Sequence, residues 1–374
     1  MNQTSDKTCR FCNAAFLVAG ISIGASELGL PVALRHAGYL PAVVGMLAIY
    51  ICMLASGILL AQRFIAERQQ DLPTLFQKYL GQWGAVLFNI SYFSLAFCLL
   101  VAYWSGLQGI FNHLGGRFIT IAIGALVYYG LSRKFQLLYT LNNFLTVGLI
   151  VSFIFLIVSS LRASNVSLFH FADWSQLPKS LPMILCSFGY HQVVPLLCQQ
   201  LEYDRSSIYR ALLVGTLCPL IFNITILTIG FRLFSVEELS EAAQRGLPVF
   251  VLLGRYFNAD CFIYIGQCFS FFAIMTSLLG VSMAMRGALR DILDRQKILQ
   301  QSSELLIIIP LFIAMIQPQL FFTVLGIAGG IFGNLMAGLL PVTLFLKHGY
   351  FRYRYLCLWL VFLSVFVLEC INLA

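Results

Sequence analysis

The feature that most constrains this chain is an apolar segment that begins at Phe11 and continues to about Leu34. It can cross a bilayer, because about 20 helical residues suffice. Its middle is a poor helix former, because glycine and serine lower helix propensity and proline lacks a backbone donor. This stretch, from Gly20 to Pro31, has the sequence Gly-Ile-Ser-Ile-Gly-Ala-Ser-Glu-Leu-Gly-Leu-Pro. Irregular backbone at membrane depth is tolerated only inside protein or along a polar cavity. The segment therefore predicts a broken membrane helix with a small polar ligand at the break.

A second segment has the same pattern. Ser-Phe-Gly-Tyr-His-Gln-Val-Val-Pro, from Ser187 to Pro195, interrupts the apolar run between Leu181 and Cys198. In both segments a glycine precedes a proline, and an ionisable residue lies between them. Two interrupted hydrophobic segments at corresponding places in two halves of a chain indicate the binding site of a secondary transporter.

The composition agrees with a membrane-embedded chain. Of its 374 residues, 60% are hydrophobic and 10% are charged, which indicates a polytopic membrane protein. The net charge of +8 lies in short loops between apolar segments, so no nucleic-acid partner is expected. The expected partners are membrane lipids and a small amino-acid substrate, with no obligate protein partner. The eleven cysteines are scattered, and Cys9 and Cys12 alone are too few ligands for zinc.

Eleven spans account for the apolar segments, near 11–34, 39–63, 83–112, 117–131, 139–161, 179–201, 208–234, 256–289, 303–318, 320–346 and 355–373. We predict an all-α fold in which spans one to five and six to ten form an inverted repeat, with spans one and six broken. The predicted divisions are a cytoplasmic N-terminus at 1–10, a first repeat at 11–161, an external loop at 162–178, a second repeat at 179–346 and an eleventh helix at 347–374.

The basic residues predict the orientation. With the N-terminus in the cytoplasm, sixteen of the 23 Lys and Arg residues fall in cytoplasmic segments and seven fall outside. The odd number of spans then places the C-terminus outside. We expect a multi-pass protein of the bacterial inner membrane whose first apolar segment is retained, since no cleavage pattern follows it.

At the first break, the half-helix after the gap starts near Ser26. Its free amides and positive dipole end suit an anion, so the amides of Gly24, Ala25 and Ser26 are predicted to bind a substrate carboxylate. Carbonyls left free near Gly20 and Ile23 suit a cation or an ammonium group. The alternative is a glycine-rich packing face.

Two ionisable residues at membrane depth are candidates for coupling transport to a cation. Glu27 is predicted to carry a proton or to pair with a substrate ammonium group. Its alternatives are an ion pair with Arg35 or Arg286, or a side chain that extends to the membrane surface. His191 is predicted to carry a proton or to bond a substrate hydroxyl. Its alternative is a core histidine that holds the broken helix together.

Aromatic side chains surround the second break. Phe188 and Tyr190 flank Gly189, beside Ser187, and are predicted to stack on an aromatic substrate or to gate it. The alternative is ordinary core packing in a chain with 33 Phe residues.

The eighth span contains a candidate sodium site. The Ala273 carbonyl and the hydroxyls of Thr276 and Ser277 fall on one helical face. With the carbonyls of Gly20 and Ile23 they would supply five oxygen ligands, which a hard cation prefers. The alternative is hydroxyl-to-backbone bonding within the helix. Either H+ or Na+ is therefore a candidate for the transported cation, and no other cofactor is expected.

These motifs resemble the hydroxy and aromatic amino acid permease family, which includes the bacterial tyrosine and tryptophan permeases. The first segment is similar to the family pattern at Val18, Ala19, Gly20, Ile23, Gly24, Ala25, Pro31 and Gly38. The second resembles the family's Ser-Phe-Gly-aromatic-His-x-x-Val-Pro motif at Ser187, Phe188, Gly189, Tyr190, His191, Val194 and Pro195. The resemblance covers essentially the whole chain. It implies a leucine-transporter-like fold and uptake of tyrosine or tryptophan, generally driven by protons.

The chain departs from the family pattern in two places. Ser26 and Glu27 stand where the family commonly has glycine and an apolar residue. The fifth span has no lysine, which some proton-coupled relatives of the wider fold place near the first break.

We therefore predict a symporter, not an enzyme, that imports an aromatic amino acid by alternating access, with tyrosine, tryptophan and phenylalanine all possible substrates. One alternative is a sodium symporter of another neutral amino acid. Another is an integral membrane lipid-modifying enzyme, which would need polar catalytic groups clustered at one interface. A channel would need a polar stripe along several spans.

Overall fold

The computed structural model describes residues 2–68, 71–112, 115–133, 135–161, 167–253, 260–295, 302–347 and 353–373. Its α-helices are α1 (Asn2–Ser22), α2 (Leu30–Leu34), α3 (Tyr39–Glu67), α4 (Leu72–Leu80), α5 (Gln82–Ile110), α6 (Gly116–Arg133), α7 (Phe135–Ser160), α8 (Ser167–His170), α9 (Leu177–Cys186), α10 (Val194–Gln200), α11 (Arg205–Leu233), α12 (Val236–Arg245), α13 (Asp260–Arg295), α14 (Ser302–Ile316), α15 (Phe321–Ile327), α16 (Leu340–Lys347) and α17 (Tyr353–Leu373). Short 3-10 turns cover Ala25–Gly29, His191–Val193 and Val249–Leu252.

Within these ranges, nine helical segments are long and apolar enough to cross a membrane: Arg10–Leu34, Tyr39–Glu67, Gln82–Ile110, Gln136–Ser160, Leu177–Gln200, Arg205–Leu233, Tyr264–Arg290, Phe321–Lys347 and Tyr355–Leu373. A shorter apolar helix covers Ile307–Ile316, and α6 has 18 residues. The helical, multi-pass class is confirmed, and the total of eleven crossings stays a prediction.

Both predicted interruptions are present. The first segment leaves the helix after Ser22, and Gly24 has extended backbone, with φ −161° and ψ −155°, before the turn at Ala25–Gly29. The second segment leaves the helix after Cys186 and resumes with the turn at His191–Val193. In each case a proline lies in the first turn of the next helix, where its missing N–H has no helical acceptor to lose.

The two broken segments pack against each other. The Ser180 hydroxyl of α9 donates a hydrogen bond to the carbonyl of Ala33, at 2.7 Å. Gly29 lies so close to α9 that an added Cβ would be 3.1 Å from the Met183 sulfur. The half-helix after the first break, α2, is therefore in direct contact with the half-helix before the second break, α9.

Small residues also bring α11 onto the first segment. A Cβ on Gly215 would lie 2.7 Å from the Val18 Cβ, and one on Gly230 would lie 2.6 Å from the Pro31 Cβ. Close approach of helices at small residues is typical of membrane interiors, where dispersion contacts replace the hydrophobic driving force.

The segment from α15 to α16 is helical but irregular, with π-helical stretches at Ala328–Gly333 and Leu335–Leu339. It packs on α17. A Cβ on Gly326 would lie 2.8 Å from a Glu369 carboxylate oxygen, and the Asn334 amide donates to the Phe362 carbonyl at 2.7 Å. Its glycines thus serve close packing of two helices.

Gly38→Ala should destabilise the protein strongly. Gly38 has φ +83° and ψ 175°, a region that only glycine occupies readily, and an added Cβ would overlap the Phe171 carbonyl. We expect a loss of about 3 kcal/mol or more. Gly81→Ala, at φ +79° with nothing within 4 Å of the added Cβ, should cost only about 1–2 kcal/mol. Helical Gly287→Ala, equally uncrowded, should cost nothing. Thermal unfolding in detergent measures this order; equal losses at Gly38 and Gly81 would contradict it.

Candidate functional site

Side chains of the protein already bind two amides at the first break. The Gly24 N–H donates to Glu27 Oε2 at 2.8 Å, and the Ala25 N–H donates to Ser277 Oγ at 3.0 Å. In a continuous helix the Gly24 amide would instead donate to the Gly20 carbonyl. These are two of the three amides predicted to bind a substrate carboxylate, so a substrate would have to replace Glu27 and Ser277 there.

Glu27 is 1% exposed, which excludes the alternative in which its side chain extends to the membrane surface. Glu27 Oε1 has no hydrogen-bond partner among the described residues. Arg35, one of the predicted ion-pair partners, donates instead to Ser240 Oγ at 2.9 Å and to the Val32 carbonyl. None of the ion pairs between described residues includes Glu27. The break thus contains a carboxylate with one oxygen bound to backbone and the other unpaired.

The candidate sodium ligands of α13 bond to one another. Thr276 Oγ1 and Ser277 Oγ both donate to the Ala273 carbonyl, at 3.1 and 2.9 Å, and Thr276 Oγ1 also lies 2.9 Å from the Phe272 carbonyl. These are the hydroxyl-to-backbone bonds of the alternative interpretation. Only Ser277 of this group has a hydrogen bond to the first break, through Ala25. A sodium site with Gly20 and Ile23 stays a prediction.

The aromatic residues of the second break pack on α3. The Tyr190 hydroxyl donates to the Met53 carbonyl at 3.0 Å, and its ring lies against Gly57, where any Cβ would overlap it. The Phe188 ring centroid lies 6.0 Å from that of Tyr50. Both side chains are buried. In this arrangement they hold the break to α3, so direct contact of either ring with a substrate would require a rearrangement.

His191 is buried beside Tyr190, with ring centroids 4.5 Å apart and planes 29° apart. Neither imidazole nitrogen has a hydrogen-bond partner within the described part of the chain. Gly189 is the open point of this break, since an added Cβ would meet only the Cys186 carbonyl, at 3.6 Å. The second break thus offers a buried imidazole next to uncrowded backbone.

Two residues that the sequence analysis missed complete the surroundings. Asn223 of α11 is fully buried and donates to Ser187 Oγ at 3.0 Å, and Ser187 donates to the Ile184 carbonyl at 2.8 Å. Tyr103 of α5 is buried with its hydroxyl beside Ser277. An amide side chain in an apolar span is a signal that would have found Asn223. Tyr103 is one of 16 tyrosines and carries no such signal.

A cavity of about 360 Å³ lies beside the two broken segments, on the side of α2 and the start of α9. Pockets for small ligands begin at about 300 Å³. Its lining includes Val32, Arg35, Lys179, Met183, Phe322 and Glu369. Because both half-helices line it, any movement at the breaks changes its shape.

Comparison with known proteins gives a consistent result. A family model described as the tryptophan/tyrosine permease family matches residues 7–367. Tyrosine-specific transport system 2 of Haemophilus influenzae is 24% identical over 84% of this chain and 82% of its own length. The tryptophan-specific transport protein of Pseudomonas aeruginosa is 26% identical over 78% and 74%. Glutamine transporter 2 of Aliivibrio fischeri is 23% identical over 84% of each.

Crystal structures of two transporters share the fold. The manganese transporter of Eremococcus coleocola matches all of this chain and 87% of its own, with a TM-score of 0.66 and 12% identity. The transporter MhsT, in complex with L-phenylalanine, matches 96% of each chain, with a TM-score of 0.56 and 16% identity. At these identities the similarity shows the fold alone, and the expected leucine-transporter-like fold is confirmed.

Ser277→Ala should destabilise the first break. The substitution removes the acceptor of the Ala25 amide, and a buried unpaired amide costs about 1–3 kcal/mol. Thr276→Ala is the matched control, since its hydroxyl donates to carbonyls of its own helix. We expect it to change stability by no more than about 0.5 kcal/mol. Thermal unfolding of the ligand-free protein in detergent distinguishes the two, and equal losses would show that the bond to Ala25 does not hold the break.

Proposed function

This chain belongs to the tryptophan/tyrosine permease family, and we propose that it is a cation-coupled symporter that imports tyrosine or tryptophan by alternating access. The family and the relatives are transporters, so the chain is a multi-pass permease of the bacterial inner membrane and not an enzyme. This membership replaces the alternative of a lipid-modifying enzyme.

One observation supports the site most directly. The two interrupted segments pack against each other, and each holds a buried ionisable side chain with unpaired polar atoms, Glu27 in the first and His191 in the second. Ionisable groups inside a membrane protein are costly and are generally functional. Their position at two breaks agrees with a substrate site between two repeats.

We assign the substrate groups as follows. The carboxylate takes the amides of Gly24, Ala25 and Ser26, in exchange for Glu27 Oε2 and Ser277 Oγ. The ammonium group pairs with Glu27 and with the carbonyls near Gly20 and Ile23. The ring lies beside the second break, where Gly189 leaves space and where Ser187, Phe188 and Tyr190 hold the backbone in place.

For the coupled cation we propose a proton carried by Glu27 or His191. Sodium coupling would require Thr276 and Ser277 to release the bonds that they donate to the Ala273 carbonyl. The second candidate function is a sodium symporter of another neutral amino acid. The similarity to a glutamine transporter of Aliivibrio fischeri favours this alternative.

We further propose eleven crossings, with α6 and α14 as two short ones and α17 outside the repeats. The first repeat is then 11–161 and the second 179–346, with a cytoplasmic N-terminus and an external C-terminus. The asymmetry of Lys and Arg supports this orientation.

The transport prediction is tested in proteoliposomes that contain the purified protein. An imposed proton gradient in sodium-free buffer should drive accumulation of labelled tyrosine or tryptophan. Glu27→Gln or His191→Ala, whichever substitution removes the proton carrier, should reduce accumulation at least about tenfold, which corresponds to about 1.4 kcal/mol. Exchange of labelled for unlabelled substrate, at equal substrate concentrations on both sides of the membrane, should persist in Glu27→Gln. Such exchange needs no net movement of the cation.

Three results would contradict this scheme. Accumulation driven by sodium alone would favour the sodium symporter. Competition by glutamine but not by aromatic amino acids would change the substrate class. Unchanged accumulation and pH dependence in both variants would remove Glu27 and His191 from coupling.

The orientation is tested with reporters fused after Ala374. Eleven crossings place this end opposite the N-terminus, so alkaline phosphatase, which is active outside the cytoplasm, should be active there. A green fluorescent protein that folds only in the cytoplasm should be dark at the same position. The reverse pair of results would contradict the proposed orientation and would require an even number of crossings or an external N-terminus.

A further inference from the structure

We propose that the site also binds aromatic amines that lack a carboxylate, and that Glu27 is the residue that determines this specificity. The inference rests on the proposed substrate site, and it extends the ligand class beyond amino acids. It follows from hydrogen bonding and charge at the first break.

Glu27 already fills the carboxylate subsite of the ligand-free protein. The Gly24 amide, which faces a substrate carboxylate in the proposed scheme, already donates to Glu27 Oε2 at 2.8 Å. A carboxylate-bearing ligand has to displace this internal carboxylate and then lie next to it. Two like charges in a buried site repel each other strongly. An amine without a carboxylate leaves the Gly24–Glu27 bond in place.

The other oxygen of Glu27 can accept a hydrogen bond from a ligand's ammonium group. The side chain is buried, its Oε1 has no partner among the described residues, and none of their ion pairs includes it. A buried carboxylate without a counter-charge is costly, so a cationic group that reaches Oε1 is bound favourably. A primary ammonium has three donors and can satisfy Oε1 while Oε2 keeps the Gly24 amide.

The charge of the ligand sets the net charge of the occupied site. With Glu27 ionised, an aromatic amine of charge +1 makes the occupied site neutral. A zwitterionic amino acid adds no net charge, so the site remains at −1 and needs a further cation. Among the described residues, the titratable side chains that interact with Glu27 are Tyr103 of α5 and Cys186 of α9, and neither brings a positive charge. Glu27 therefore favours amines directly, and favours amino acids only together with a cation.

Competition binding tests the proposal at one fixed pH in sodium-free buffer. Labelled tyrosine bound to the purified protein is competed with tyramine, tyrosine methyl ester and 3-(4-hydroxyphenyl)propionate. In the wild type, tyramine and the ester should compete and the propionate should not. In Glu27→Gln, where the amide oxygen still accepts from Gly24, tyramine should bind about 30-fold more weakly, the loss expected for a truncated buried charge pair. Tyrosine should lose less affinity than tyramine, because the lost ammonium pair is offset by relief of the repulsion between its carboxylate and Glu27, and the propionate should begin to compete.

Opposite shifts for amine and carboxylate ligands separate this role from a structural one, because a damaged site weakens all ligands together. Glu238→Gln is the matched control: its carboxylate accepts from the Ser235 amide at 2.8 Å, the same capping bond as that between Gly24 and Glu27, but at the start of α12 and away from both breaks, so ligand preference should not change.

Direct binding of labelled tyramine separates this inference from the proposed function. Tyrosine binding without tyramine binding, or tyramine affinity that is unchanged in Glu27→Gln, would overturn the inference and leave the amino-acid transporter. Tyramine binding that depends on Glu27, without tyrosine or tryptophan binding, would overturn the proposed substrate and support the inference.

Discussion

The structure depends on one constraint, which is that every backbone polar group at membrane depth needs a partner inside the protein. A continuous helix meets this constraint by itself, and a broken one does not. The first segment is broken at Gly24, so its amides take partners from side chains: Glu27, three residues later, and Ser277, which lies far away in sequence on α13. The geometry of the site follows from which side chains perform this task.

The two breaks are attached to different helices. The first is bound to α13 through Ser277, while the second is bound to α3 through the Tyr190–Met53 bond and to α11 through Asn223 and Ser187. In the proposed two-repeat scheme, the Ala25–Ser277 and Tyr190–Met53 bonds join one repeat to the other, whereas Asn223 and Ser187 both belong to the second repeat. Each is a single hydrogen bond of about 1 kcal/mol net, which is small enough to be exchanged for a bond to a ligand.

Glu27 connects the fold to the chemistry of transport. Its carboxyl group completes the broken backbone and, at the same time, keeps one buried oxygen without a hydrogen-bond partner among the described residues. In the proposed scheme, a ligand that replaces it on the Gly24 amide frees the carboxyl group to take up a proton or to pair with an ammonium group. The same residue therefore stabilises the ligand-free break and, in the proposed symport scheme, would link occupation of the site to a positive charge.

The sequence by itself determined the membrane class and the places where the helices break, because apolar length and the local chemistry of glycine, serine and proline act within a few residues along the chain. The capping bond between Gly24 and Glu27 is also local, and its three-residue spacing could have been recognised as a helix-start pattern. The tertiary structure alone decided that Ser277 binds Ala25, that Tyr190 turns onto Gly57 of α3 and that Asn223 holds Ser187. Those contacts depend on which helix faces lie together. Packing between residues that are distant in the chain sets that arrangement, and local helix propensity does not determine it.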